Sequence, residues 1–300
     1  MWSNNDADRF SMPLNDLEDD PTWTKRGVSF LNNSKNGLED KREVMLGRAE
    51  NHKNGRKLRS RTGDWQLRHI RRWLRYVDEF RELLLLCVHI TAGQPARGTE
   101  ITSVRFKNGF MQDRNVYIIH GQVAVITRYH KSQSQQDKPK IIPRFLPYRV
   151  AQLLVVYLAY VQPLQEYLSV MSKGSGWTEY IWGDQNGTWE TDRLTRIIAP
   201  IAIGRVAVSE QFAYGYVDEI GEVEAPELDT DDPLKMSAGR GGEIGGNRYG
   251  VSVDVVKYMN DRSINTFRPL SEKWHRFLGL DSFNTSKGQK HQVRQQKAIT

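Results

Sequence analysis

Residues 115–129, NVYIIHGQVAVITRY, decide how the rest of the chain is read. Apolar residues alternate along it about Gly121, the period-2 pattern of two strands joined by a tight turn. The next apolar stretch, KIIPRFLP at 140–147, supplies a third strand whose prolines assign it to a sheet edge. On both sides the period changes. From Trp65 onward Ile70, Trp73, Val77, Phe80, Leu84 and Cys87 recur at steps of three and four, the spacing of one helix face or of two helices end to end. Val150, Leu153, Leu154, Tyr157, Leu158 and Val161 return to helical spacing, with Pro163 bending or ending that helix. A last helical stretch is predicted from about Val251 through SEKWHRFLGL. The expected fold class is mainly α with a small antiparallel β-sheet.

The chain has 300 residues, 38% of them hydrophobic, which is enough to bury a substantial core. No stretch reaches the roughly 18 to 20 uncharged apolar residues of a membrane span, and the start MWSNNDADRF lacks a secretory signal's basic and apolar regions. An intracellular location and no membrane partner are expected. The single cysteine, Cys87, lies inside ELLLLCVHI and reads as a small core residue. Residues 1 to about 25 are polar, acidic and rich in Asn and Pro, and are expected to form a disordered lead-in.

The formal charge of +7 understates how basic most of the chain is. Residues 217–233, VDEIGEVEAPELDTDDP, carry eight acids and no Lys or Arg, so setting those aside leaves +15. That stretch reads as an exposed acidic loop, because burying eight unpaired carboxylates is prohibitive. The remainder favours a polyanionic partner, with nucleic acid first. Arg68, Arg71, Arg72 and Arg75 lie opposite the apolar stripe of the long helix. They fit a surface along a DNA backbone, and equally an ordinary solvated helix face.

Several devices are absent from the sequence. No GxxxxGK[ST] occurs, so nucleotide binding by a phosphate loop is not expected, and there is no GxSxG. The seven histidines show no HExxH spacing and there is one Cys, so neither metal nor cofactor is expected. GRGGEIGG at 239–246 follows the acidic loop and not a strand. What remains is a dispersed set: Arg97 in ITAGQPARGTEI, Lys131 in RYHKSQSQQDKPKII, Arg240 and Tyr249. An arginine can bind a scissile phosphate bidentately, a lysine can protonate a leaving oxygen, and a phenol can attack phosphorus.

Six stretches together resemble a known family: SFLNNSK, FRELLLLCVHITAGQPARGTEI, VYIIHGQVAVITRYHKSQ, KIIPRFLPYRVAQLLVVYLAYVQP, AGRGGEIGGNRYG and FRPLSEKWHRFLGL. They are similar to the tyrosine-recombinase-like region of fungal Crypton-type elements, which also occurs ahead of the motor in fungal telomere-linked RecQ-type helicases. The resemblance runs from about Gly27 to Leu280. It implies a tyrosine-recombinase catalytic-domain fold over 91–280, an N-terminal helical region over 26–90, and a basic tail over 281–300. HQVRQQKAIT in that tail is similar to the glutamine motif that opens such a motor. By position the resemblance implies that Arg97 is the first active-site arginine, Lys131 the hairpin lysine and Tyr249 the nucleophile. Arg240 stands where the family has a late His or Trp. The implied chemistry is metal-independent cleavage and rejoining of DNA through a phosphotyrosyl intermediate, in the nucleus, on double-stranded DNA with self-association on it. Arg128, His130 and Arg205 join the α-helical arginines as DNA-binding candidates.

The departures bear on activity. The family's second arginine and its histidine normally precede an IAIG stretch, and here Ala199 and Pro200 occupy those places. The segment between TDRLTRI and IAIG also looks shortened. Three readings stand on this sequence. The first is a DNA-binding, recombinase-like domain with impaired catalysis. The second is a working strand transferase in which Arg205 or Arg240 replaces the missing arginine. The third is a nonenzymatic interaction module whose acidic loop binds a protein.

Overall fold

The computed structural model describes residues 10, 12–39, 41–51, 58–93, 95–110, 112–129, 140–198 and 261–283. In chain order the elements are α1 (Arg42–Asn51), α2 (Leu67–Thr91), α3 (Gly98–Thr102), β1 (Val116–Ile119), β2 (Gln122–Tyr129) and β3 (Lys140–Phe145). Then come α4 (Tyr148–Val156), a π-helical turn (Tyr157–Val161), α5 (Gln162–Lys173), the short pair β4 (Gly183–Asp184) and β5 (Gly187–Thr188), α6 (Thr191–Ile198) and α7 (Asp261–Phe277). The described part is therefore mainly helical with a small antiparallel sheet.

The sheet has the order β1-β2-β3. Ile119 pairs with Gln122, which leaves His120 and Gly121 as a two-residue loop, and both take positive φ, 48° and 74°. Two positive φ values are the signature of the type I′ turn that suits the natural twist of a hairpin. Pro143 sits inside β3 opposite Ile126 and does not end the strand. It is tolerated there because β3 has no further strand partner among the described residues.

Alternation in the strands becomes burial on two faces. Val116, Ile118, Val123 and Val125 join the main core. Tyr117, Ile119, Ala124 and Ile126 form a second cluster with Ile141, Phe145 and Ile264 of α7. Because α7 covers the far face, all four residues of β1 are buried.

The stripe expected from Trp65 onward forms one continuous 25-residue helix, α2. Its buried residues include Ile70, Leu74, Val77, Leu84, Leu85 and Val88, while Trp73, Phe80 and Cys87 are half-buried at the stripe's flank. A helix packed on several neighbours buries a face about 100° wide, and the sequence periodicity marks one edge of it. Burial pushes the Cys87 thiol above its ordinary pKa. Pro163 does not end the helix it follows. The chain passes through the π turn, where the Gln162 N–H donates to the Tyr157 carbonyl, and continues as α5. The wider turn accommodates the proline ring and its missing donor.

The expected lead-in is ordered where it is described. Phe10, Met12, Leu14 and Leu17 are buried in the main core. The Met12 N–H donates to Gln152 Oε1 (2.9 Å), and Asp19 pairs with Arg114 at 2.7 Å with both side chains fully buried. Polar composition concealed this, because four apolar residues suffice to anchor the described part of the segment and its buried acid has a cationic partner. The expected line near residue 90 is crossed by α2, and residues from both sides of it share one core.

The helix α7 is fastened by its last turns. Trp274 Nε1–H donates to the Ile90 carbonyl (2.8 Å) at the end of α2. His275 is fully buried, with Nε2 donating to the Phe145 carbonyl (3.1 Å) and Nδ1 2.7 Å from Ser282 Oγ. The carbonyl can only accept, so Nε2 carries the proton of a neutral ring. Burial lowers the His275 pKa to about 4 from 6.5, against the opposing pull of the backbone carbonyls. The unfolded chain therefore takes up a proton near pH 6.5 that the folded chain refuses until about pH 4. This share of stability is complete above pH 6.5 and is lost as pH falls towards 4, to a total of about 3 kcal/mol. Melting temperatures measured across that window should fall more steeply for the natural chain than for His275→Gln; parallel curves would contradict the burial.

Candidate nucleic-acid interface

Two groups of basic residues can be built from the elements upward. The first lies on α2. Arg68, Arg71, Arg72 and Arg75 are spaced three, four and seven apart, so helical geometry gathers them on one side, and all four are exposed. Arg72 Nε donates to the Tyr76 hydroxyl (2.9 Å), and the Arg72 and Arg75 guanidiniums lie 5.6 and 6.0 Å from the Tyr76 ring centre. Arg75 approaches Glu79 at 3.9 Å, but both side chains are largely solvated, so the pair neutralises little. Arg68 and Arg71 have no ion pair among the described residues. The first turn of α2 holds no acid and its N-cap makes no side-chain bond. A cation there opposes the helix dipole.

The second group is centred on Glu100. Arg97 is the N-cap of α3, and its backbone N–H donates to Glu100 Oε2 (3.3 Å), the carboxylate half of a capping box. Its guanidinium Nε lies 3.9 Å from Glu100 Oε1, and its side chain is 39% exposed. Arg144 on β3 is buried, donates from Nε to Thr127 Oγ1 on β2 (3.1 Å), and acts electrostatically on Glu100. Burial raises the Glu100 pKa, and the Arg144 charge, the Arg97 N–H and the Arg97 charge pull it back. Gly98 lets α3 approach α6, since a Cβ there would stand 3.1 Å from Thr191 Cγ2. The outcome is a guanidinium held by its backbone at a helix start, with one side toward a carboxylate and over a third of its surface open.

Of the expected site residues, the structure thus places Arg97 at an accessible edge and Arg68, Arg71, Arg72 and Arg75 together on α2. Arg128 lies on β2 opposite Ile141, and its side chain is not described. His130, Lys131, Ala199, Pro200, Arg205, Arg240 and Tyr249 lie outside the described residues, as does the acidic stretch 217–233. Tyr129 pairs with Lys140, so the segment carrying Lys131 connects β2 to β3. Glu100 and Arg144 were not singled out in the sequence. The capping-box spacing from Arg97 was a usable signal for Glu100, whereas nothing local identifies Arg144.

Among the described residues no helix is long and apolar enough to cross a membrane, and no three His, Cys, Asp or Glu side chains gather as a metal site. No family model matches the chain, and no solved structure matches it.

The geometry distinguishes the two members of the Arg97–Glu100 pair. Glu100→Ala removes a helix cap and leaves Arg144 with less carboxylate nearby, and should lower unfolding free energy by about 2 kcal/mol. Arg97→Ala removes a half-exposed partner at long range and should cost less than about 1 kcal/mol. Urea denaturation of both variants checks this; equal losses would mean that Arg97 is a structural residue.

Proposed function

We propose that the chain is a double-stranded-DNA-binding domain of tyrosine-recombinase-like fold, nuclear, with impaired strand cleavage. The observation that carries the DNA reading is the outer face of α2. Four arginines stand together in solvent, three of them without a carboxylate partner among the described residues, and Arg68 lies in the first turn, where the helix dipole disfavours a cation. A cluster of like charges that the fold does little to neutralise fits a partner that supplies the missing charge. Phosphates at regular spacing along a duplex supply it through counterion release.

The resemblance assigns the chemistry. Arg97 would hold the scissile phosphate, the Tyr249 oxygen would attack phosphorus, and Lys131 would give a proton to the leaving oxygen. Arg97 has the exposure and the backbone anchoring this role needs. Ala199 and Pro200 replace the expected Arg-His pair, so the phosphorane would lack one of its fixed donors. Losing such a donor commonly slows the step by about a hundredfold or more.

Two measurements test the reading. Affinity for duplex DNA should fall steeply with salt, and substituting Arg68, Arg71, Arg72 and Arg75 together with Ala should reduce the log–log slope by roughly 3. Binding that is absent at low salt, or flat with salt, would end the proposal. A nicked suicide duplex should trap little or no covalent adduct with the natural chain. A robust adduct abolished by Tyr249→Phe would overturn the impairment and make Arg205 or Arg240 the replacement clamp.

A further inference from the structure

Two turns and a chain crossing, none of them in α2, bring three large exposed side chains together. Arg26 and Gly27 are the central residues of a turn closed by the Val28 N–H on the Lys25 carbonyl (3.2 Å), and Gly27 supplies the positive φ, 81°, that its third position needs. Phe110 projects from a second turn, closed by the Gly109 N–H on the Gln112 carbonyl (2.9 Å). Asn108 is buried and locks the two turns to each other. Its side-chain amide donates to the carbonyls of Trp23 (2.7 Å) and Lys25 (3.2 Å). Its backbone carbonyl accepts from the Gly27 N–H (2.8 Å), and its own N–H donates to the Val28 carbonyl (3.1 Å). Trp177 follows Gly176, where the chain crosses α5 so closely that a Cβ would stand 2.5 Å from the Glu166 carbonyl oxygen.

These turns hold in solvent what a fold ordinarily hides. Phe110 is 81% exposed and Trp177 46%. Val170, whose backbone nitrogen would lie 3.2 Å from a Cβ on Gly176, is 49% exposed beside them. The Arg26 guanidinium lies over both rings, 5.9 Å from the Phe110 centre and 5.1 Å from that of Trp177, and has no carboxylate partner among the described residues. The acids that border the patch are already engaged. Lys107 holds Glu166 at 3.0 Å, and Arg105 holds Glu179, the neighbour of Gly109, at 3.3 Å. Arg26 and the exposed Lys25 are therefore left uncompensated. Apolar surface rimmed by charge marks an interaction site, and aromatic rings with arginine are the side chains that carry most of the energy of such sites. Because backbone bonds already fix both turns, docking has little left to order.

We propose that this surface docks an acidic, apolar peptide segment of a partner protein, with carboxylates on Arg26 and Lys25 and an apolar side chain against Phe110 and Trp177. Charge and ring access decide between a peptide and a strand of nucleic acid. A strand tracks a row of free cations and stacks its bases on open ring faces. Here Lys107 and Arg105 are neutralised within the protein, and the Trp177 ring already has Arg26 over it and Lys107 at 4.9 Å. A base would have to displace them, whereas a carboxylate meets the guanidinium where it stands. The surface does not depend on the duplex-binding reading of α2.

The test selects a random peptide library displayed on phage against the full chain. Enriched sequences should combine Asp or Glu with large apolar residues. A labelled peptide of that consensus should bind about tenfold more weakly to Phe110→Ala and to Trp177→Ala, and more weakly still to Arg26→Glu, while Arg26→Lys retains most of the affinity. All three side chains are exposed, so each variant should melt close to the natural chain, and duplex binding should be unchanged, which separates failure here from failure on α2. No enriched sequence, enriched sequences without acids, or peptide binding that every variant retains would overturn the proposal. Single-stranded oligothymidylate bound by the natural chain and lost in the same variants would overturn it in favour of nucleic acid. Self-association lost in those variants, or tighter peptide binding once the eight acids of 217–233 are neutralised, would overturn the separate partner and give the surface to the chain itself.

Discussion

A charged group in the middle of an apolar stripe fixes the arrangement of α2, and most of the remaining structure is packed around that helix. Arg81 is 2% exposed. Its Nε and Nη2 donate to the Ile181 carbonyl (2.9 and 2.6 Å), Nη2 also to the Gly183 carbonyl (2.5 Å), and Nη1 to Asp78 (2.8 Å). The indole N–H of Trp182 returns a bond to the Arg81 carbonyl at 3.1 Å, and the Trp189 ring lies 4.6 Å from the guanidinium. Taking a guanidinium out of water costs several kcal/mol unless its donors are filled, and here only one geometry fills them. Residues 181–183 are thereby placed against one turn of α2, where a purely apolar contact would allow sliding.

From that fixed point the site residues follow in order. The helix α6 comes directly after β5, and Arg193 bonds Glu82 of α2 at 2.7 Å, beside Arg81. The helix α3 then packs its Gly98 on Thr191 and Leu194 of α6, which determines where Arg97 emerges. On its other side α3 meets β2 and β3 through Glu100, Arg144 and Thr127. Arg97 is thus positioned by a chain of contacts that begins at a buried arginine sixteen residues earlier.

The sequence periodicities were enough to find α2, the hairpin about Gly121 and the helical class, because each of those depends on neighbours a few residues apart. Long-range pairing left no such trace. Arg81 follows Phe80 of the apolar stripe as an ordinary charged neighbour, and its carbonyl acceptors lie a hundred residues away. Asp19 and Arg114 are separated by a similar distance, and a segment rich in Asn and Asp gives no hint that one acid is buried. His275 reads as one more polar residue of a basic helix until Phe145 and Ser282 are seen to enclose it. Only Pro163 marked the π turn, and it read as a bend or an end of the helix.

The count of charges acquires a different meaning once these pairs are known. The chain has 43 Lys and Arg against 36 Asp and Glu. Arg81 with Asp78, Arg114 with Asp19, Arg193 with Glu82 and Lys107 with Glu166 each remove one charge of either sign from what a partner can sense. Pairing of this kind leaves the net charge unchanged, so the excess has to reside on cations that have no acid beside them. Among the described residues Arg68 and Arg71 are such cations, and they stand on the outer face of α2. The structural arginines are spent inside the fold, and the outer face of α2 is one place among the described residues from which positive charge projects uncancelled.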